Sequence, residues 1–404
     1  MEVEISSVLI YLAVILLSAR LGGELFSRLK QPPVVGELIS GIMIGPFVAG
    51  QISNLILGHH LFINLDSPSG SVVNVFSDIG IILLLFLAGV SIDIDEFKKS
   101  GKVAIAVASS GVVVSFIFGF ALAWFLGWGT IEAAFLGAVL TATSVGLTVR
   151  ALVDIGKLHT PVGVAILEAA VIDDILGIMI LSVLSGAALG SLSLFGVSRV
   201  VALMVIFIVL VLLFGLKILP GIMRFIGRFN IEEVILSLTI VIIFLVSALS
   251  ELVSLAAITG AFLAGMVMSR LPVAKSLRAK ITTIGYALFI PIFFTEMGVR
   301  MNFGELASIG ILVGSVVIVM SFISKILGCG VGALIGGFSA GDSLRVGVGM
   351  VPRGEVALVI AAIGVKSGVV SHSLLSLTVL IVLATTVVAP LLIKYSFRIF
   401  RERG

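Results

Sequence analysis

The segment Leu85–Phe97 reads "LFLAGVSIDIDEF", and Phe294–Leu306 reads "FTEMGVRMNFGEL". Gly-Val-x-Ile-Asp in the first answers Gly-Val-x-Met-Asn in the second. Each is preceded by a further match: "VVGELISGIMIG" (Val34–Gly45) resembles "AITGAFLAGMVMS" (Ala257–Ser269), and both carry glycines five apart. Apolar segments resemble one another by composition alone, but two matches in the same order mark an internal repeat. Its meaning depends on what kind of chain carries it.

Hydrophobic residues make up 59% of the 404 and charged residues only 12%, with a mean hydropathy of +1.31. Soluble domains carry roughly 25% charged residues, so the chain is an integral membrane protein. The N-terminal apolar segment is too long for a cleavable signal. One cysteine, Cys329, excludes an intrachain disulfide framework and any multi-cysteine metal or iron–sulfur site.

Apolar runs of about 20 residues cross the hydrocarbon core as helix, and thirteen are expected. They start near Ile5, Pro32, Val72, Val103, Ile131, Pro161, Leu194, Glu233, Ser254, Ile281, Leu306, Leu344 and Ser371. Alternate loops differ in charge. Nineteen Lys and Arg residues, Arg150 and Arg345 among them, fall in one set, against Arg199, Arg300 and Lys366 in the other. Bases favour the cytoplasmic side, which puts the N-terminus outside and the C-terminus in the cytoplasm of an inner or plasma membrane. The longest loop, about 51–71, then lies outside, and its His59 and His60 read as solvated surface.

The two copies of each motif are seven spans apart, and an odd separation turns the second copy upside down. Inverted repeats recur in secondary transporters, which bind substrate near the midplane between interrupted helices. Spans 2–6 would pair with spans 9–13, and span 5 with span 12. Span 5 reads "LGAVLTATSVGLTV", with Thr141, Thr143, Ser144 and Gly146 at its centre; span 12 reads "VGVGMVPRGEVALV", with Pro352 and three glycines. Proline removes a backbone donor, and hydroxyls offer freed backbone groups another partner. Both spans are expected to break and cross.

Glu168, Asp173, Asp174, Glu296, Lys325, Arg353 and Glu355 all fall near mid-span. An ionised group at a helix centre costs on the order of 2.5–3.5 kcal/mol on insertion scales. It is tolerated only facing water, a partner or a bound ion. Structural pairing accounts for some of these: Arg353 with Glu168, Glu355 with a base, and Lys325 with an aspartate. The adjacent Asp173 and Asp174, in "LEAAVIDDILG", fit that account less well. Helical neighbours project about 100° apart, so one can face Lys325 while the other faces a cavity. A desolvated carboxylate beside a second one holds its proton more tightly. It can exchange that proton for a hard cation that prefers oxygen ligands. Thr143, Ser144 and freed carbonyls would supply the remaining oxygens.

"QPPVVGELISGIMIGP", "TATS", "AAVIDDILG", "SKILG" and "GMVPRGEVALV", in this order, resemble the cation/proton antiporters, in the branch of the NapA-type Na+/H+ exchangers and Kef-type transporters. The resemblance covers essentially the whole chain. It implies an all-α fold of about 13 transmembrane helices, inverted repeats with two crossed broken helices, and a homodimer. Residues 1–100 (spans 1–3) and 229–303 (spans 8–10) would be the dimer scaffold, and residues 191–228 a linker. Residues 101–190 and 304–404 would be a core that moves like an elevator. Asp174 would bind cation and proton in turn, with Asp173 paired to Lys325 until the cation arrives. Thr143 and Ser144 would line the crossing, which Glu355 and Arg353 would stabilise, with Glu168 compensating charge.

Asp-Asp with a lysine resembles the electrogenic exchangers. The Kef transporters differ, with Gln-Asp and a nucleotide-sensing domain. Glu296 departs from the family, which usually has a small or neutral residue there, and an extra carboxylate can alter pH response or oligomer contacts. Na+ or Li+ exchange for H+ is the first reading and K+/H+ exchange the second. A channel or solute symporter stands behind both. No enzyme, cofactor or nucleic-acid partner is expected.

Overall fold

The computed structural model describes residues 4–57, 62–90, 94–188, 194–226, 233–253, 255–300, 311–366, 368 and 370–399. The first half of the chain forms α1 (Ile5–Arg28), α2 (Pro33–Ile44), α3 (Gln51–Leu57), α4 (Pro68–Val90), α5 (Ile94–Phe125), α6 (Thr130–Thr141), α7 (Val145–Asp154) and α8 (Pro161–Ala188). Then come α9 (Leu194–Leu213), α10 (Leu219–Ile226), α11 (Val234–Leu252), α12 (Ala257–Met268), α13 (Ala274–Ile284) and α14 (Ile290–Val299). The last four are α15 (Ile311–Ile335), α16 (Ala340–Gly349), α17 (Glu355–Lys366) and α18 (His372–Ile399). Single π-helical turns lead into α3, α10 and α14.

Among the described residues, ten helical stretches are long and apolar enough to cross a bilayer, with two shorter apolar helices beside them. With no water in the hydrocarbon, every backbone group must be satisfied within the helices, and the apolar side chains can face lipid. Accordingly Leu9, Leu55, Phe125, Leu252 and Leu312 are exposed.

Helices α1, α2, α4, α11, α12 and α14 pack mainly on one another, and α5, α6, α8, α15, α16 and α17 do likewise. Contacts between the two sets include those of α7 on α2 and α4, of α9 with α8 and α12, and of α18 on α2. Small residues drive helix association in lipid because they let backbones approach. The repeated glycines make these approaches. A Cβ on Gly41 would stand 2.0 Å from Thr295 O, and one on Gly298 would stand 2.2 Å from Leu38 O. The same crossing occurs between the other pair of motif segments: a Cβ on Gly89 would meet Phe262 O at 2.1 Å, and one on Gly265 would meet Phe86 O at 2.2 Å. The first motif of each half therefore packs on the second motif of the other.

Three sequence expectations change. The loop at about 51–71 begins as helix α3; His59 and His60 lie outside the described residues. Arg150 and Arg345, counted as loop bases, are buried inside α7 and α16. The tenth span starts at Ala274, so Lys275, Arg278 and Lys280 sit in the first turns of its helix, not before it. Lys217 and Arg224 likewise fall inside the stretch Ser198–Phe225, and Lys394 and Arg398 inside Ser373–Ile399.

Candidate ion site

Glu168, Asp173 and Asp174 lie on one unbroken helix, α8, and all three are buried. Asp173 Oδ2 accepts hydrogen bonds from Lys325 Nζ at 2.6 Å and Thr143 Oγ1 at 2.8 Å. Lys325, on α15, is wholly excluded from solvent, so this is a desolvated ion pair held by a third polar group. Asp174 turns to the other side, and its Oδ2 accepts from Thr259 Oγ1 at 2.8 Å. The 100° step between helical neighbours gives the two carboxylates separate surroundings. One is bound to a fixed positive charge, the other to a neutral hydroxyl.

The helix breaks lie beside them. Helix α6 ends at Thr141 and α7 starts at Val145, with Ala142 and Ser144 extended between them. Helix α16 ends at Gly349 and α17 starts at Glu355, leaving Met350–Gly354 outside helix. The two breaks meet where Ser144 N donates to Pro352 O at 2.7 Å. Gly354 permits the approach, since a Cβ there would stand 3.0 Å from both Cβ and Oγ of Ser144.

The carbonyls freed at the end of a helix need partners, and side chains supply them. Thr148 Oγ1 donates to Gly349 O at 2.7 Å. The fully buried Arg353 donates to Met350 O at 3.2 Å, Val351 O at 2.8 Å and Ser321 O at 3.2 Å. Its backbone N–H goes to Thr385 Oγ1 at 3.1 Å. Arg353 thus ties the second break to α15 and α18 through carbonyls and a hydroxyl. Glu355 opens α17, but its side chain lies outside the described residues. Glu168 sits just over one turn before Asp173, buried on the same helix. Glu296, on α14, pairs with Arg300 one turn on and accepts from Ser77 Oγ at 3.2 Å, away from the aspartate pair.

Two features escaped the sequence reading. Thr259 is an ordinary hydroxyl in an apolar run, with nothing local to mark it. The second feature is a cluster around Arg150, which pairs with Glu37 at 3.2 Å and Asp154 at 3.0 Å and lies 4.7 Å over the Tyr286 ring. It joins α7 to α2 and to the π-helical turn before α14. Glu37 was legible in principle, as an ionisable residue within a span, and Asp154 stands four residues after Arg150. Beside this cluster a cavity of about 350 Å³ is lined by Leu84, Leu87, Val153, His159, Arg278 and Tyr286.

Buried carboxylates beside two crossed, interrupted helices in a membrane bundle define an ion-coupled secondary transporter. The comparisons with known proteins are more specific. The family model for "Sodium/hydrogen exchanger, transmembrane" matches residues 13–398. The Na(+)/H(+)-K(+) antiporter GerN of Bacillus cereus is 36% identical, over 96% of this chain and 95% of that one. A Na(+)/H(+) antiporter of Enterococcus hirae is 32% identical over 95% and 96%. In fold, the sodium proton antiporter MjNhaP1 of Methanocaldococcus jannaschii matches with a TM-score of 0.68 at 18% identity, over 98% of this chain and 100% of that one. The chain belongs to the sodium/hydrogen exchanger family of multi-pass membrane transporters, as its cation/proton antiporter motifs implied.

Proposed function

We propose that the protein exchanges Na+ or Li+ for H+, with Asp174 as the site that cation and proton occupy in turn. The observation that carries this reading is the division of labour between the adjacent aspartates. Asp173 is committed to Lys325 and Thr143, whereas Asp174 faces a neutral hydroxyl that an incoming cation can displace or join. Asp173 can release Lys325 when a cation arrives, which couples binding to local charge. Thr143, Ser144 and the carbonyls of the crossing are the further oxygen ligands, with Arg353, Glu355 and Glu168 balancing charge. Hard monovalent cations favour such an all-oxygen set.

In this reading thirteen spans form inverted repeats, with the N-terminus outside and the C-terminus cytoplasmic. Spans 1–3 and 8–10 make a dimer scaffold, against which the core of spans 4–6 and 11–13 slides. The preferential packing within two helix sets supports that division. K+/H+ exchange is the second reading, favoured by the name of the Bacillus cereus relative.

The test is cation-induced proton movement in proteoliposomes with an acid interior. Na+ or Li+ added outside is expected to collapse the pH gradient, and Asp174→Asn to abolish the response. Collapse by K+ alone keeps the mechanism and changes the cargo. Full activity of Asp174→Asn ends the reading.

A further inference from the structure

The cavity of about 350 Å³ beside the Arg150 cluster lies between the two helix sets. On one side it is lined by Leu84 and Leu87 of α4 and by Arg278 and Thr282 of α13, which packs on α4 and α11. On the other side stand Val153, near the end of α7, and His159, in the turn that leads into α8. That turn is firmly held. Lys157 N–H donates to Leu152 O at 2.8 Å, and Thr160 Oγ1 donates to Lys157 O at 2.7 Å while accepting from Gly163 N–H at 3.1 Å. The lining thus combines apolar side chains with an arginine and a histidine, and none of the described residues in it is acidic. Glu37 and Asp154, in the neighbouring cluster, are taken up by Arg150. A cation would find no counter-charge here, so the cavity does not suit the transported ion.

Its depth is as telling as its chemistry. Arg278 lies in the apolar stretch Ala274–Val299, which has 26 residues and is about 39 Å long at 1.5 Å per residue. A bilayer with its headgroups measures about 40–45 Å, so the first turns of this stretch lie among the headgroups. We propose that the cavity seats the headgroup of an anionic phospholipid, with the phosphate on Arg278 and His159 and the start of an acyl chain on Leu84 and Leu87. The planar guanidinium matches the oxygens of a phosphate, and basic pockets between spans are where anionic headgroups bind. A free phosphate ion shares the charge but makes no use of the apolar walls. A lipid so placed touches both helix sets and braces them against each other.

The test is the rise in unfolding temperature of the detergent-solubilised protein as phosphatidylglycerol, phosphatidylcholine or inorganic phosphate is added, which reports affinity by mass action. Phosphatidylglycerol is expected to stabilise and the other two to do little. Each base at a membrane surface contributes about fivefold to the attraction of anionic lipid, so Arg278→Gln should weaken phosphatidylglycerol binding by about that factor and addition of His159→Gln should weaken it further. Arg28→Gln, which removes an exposed base elsewhere, should leave it unchanged. Thr282→Trp, which fills the cavity and keeps both bases, should abolish it. If the tryptophan variant fails to fold, the comparison of Arg278→Gln with Arg28→Gln carries the test. Equal stabilisation by phosphatidylcholine or by inorganic phosphate overturns the assignment, as does an equal loss in Arg278→Gln and Arg28→Gln. Full phosphatidylglycerol binding by a folded Thr282→Trp overturns it too. The readout is binding, so it does not depend on which carboxylate carries the ion.

Discussion

Gly127 and Gly337 both take left-handed backbone conformations, and each follows the end of a long helix, α5 or α15. Sixteen residues beyond each glycine (127 to 143, 337 to 353) stand Thr143 and Arg353, and next to them Ser144 and Gly354. Twelve residues before each (127 to 115, 337 to 325) stand Ser115 and Lys325. The two halves thus share a backbone plan, including the break in the helix, but differ in charge at matching positions. The first half places hydroxyls where the second places Lys325 and Arg353, and the first half alone carries the aspartate pair. A repeated backbone can build a symmetric crossing; binding a cation there requires that the symmetry be broken in the side chains.

The largest effect expected from disturbing this difference is at Lys325. Lys325→Ala leaves Asp173 without its counter-charge in a buried site, and breaking a buried pair in this way costs about 3–5 kcal/mol. Thermal unfolding in detergent should fall steeply. The double variant with Asp173→Leu should recover much of the loss, because an apolar pair replaces an ionic one. No recovery would mean that Lys325 supports something other than Asp173.

Where the halves are alike, equal damage is expected. Gly41→Ala and Gly265→Ala each drive a methyl onto a facing backbone carbonyl, and overpacking of this kind costs about 1–3 kcal/mol. Similar drops in unfolding temperature would support equivalent crossings. A large effect at one and none at the other would break the equivalence.

The smallest change is expected where the halves differ without consequence for the ion. Leu87 stands two residues before Gly89, and Glu296 two residues before Gly298. Glu296→Leu installs the residue of the first half. Arg300, half exposed, can turn to water, so stability should change by no more than about 1 kcal/mol, consistent with exchanging an ion pair for apolar packing. The pH profile of exchange should keep its midpoint. A shifted midpoint would bring Glu296 into the transport chemistry.

Much of this plan is legible in the sequence. The glycines of the paired motifs, Pro352 and the hydroxyls around Ser144 act through the local backbone, so the break points and close approaches can be read from residue types. The aspartate pair is conspicuous for a related reason: charge in an apolar run has no local explanation, and Lys325 is one of few buried bases able to answer it. Arg150 was misread because it stands at a span end, where a base is usually in water. Only folding brings Glu37, over a hundred residues away in sequence, up to it.

By itself the sequence determined that the chain lives in a membrane, that its halves repeat, where two helices must break, and which carboxylates need a reason to be buried. Hydropathy, backbone geometry and desolvation act locally, and each leaves its mark on residue type. The tertiary structure alone decided that Thr143 joins Lys325 on Asp173 and that Asp174 turns to Thr259. It also decided that the arms of Arg353 are spent on the carbonyls of its own broken helix and of Ser321 on α15. Those choices depend on which helix faces come within about 3 Å of one another, and hydrogen bonds are too short-ranged to be specified by composition or spacing along the chain.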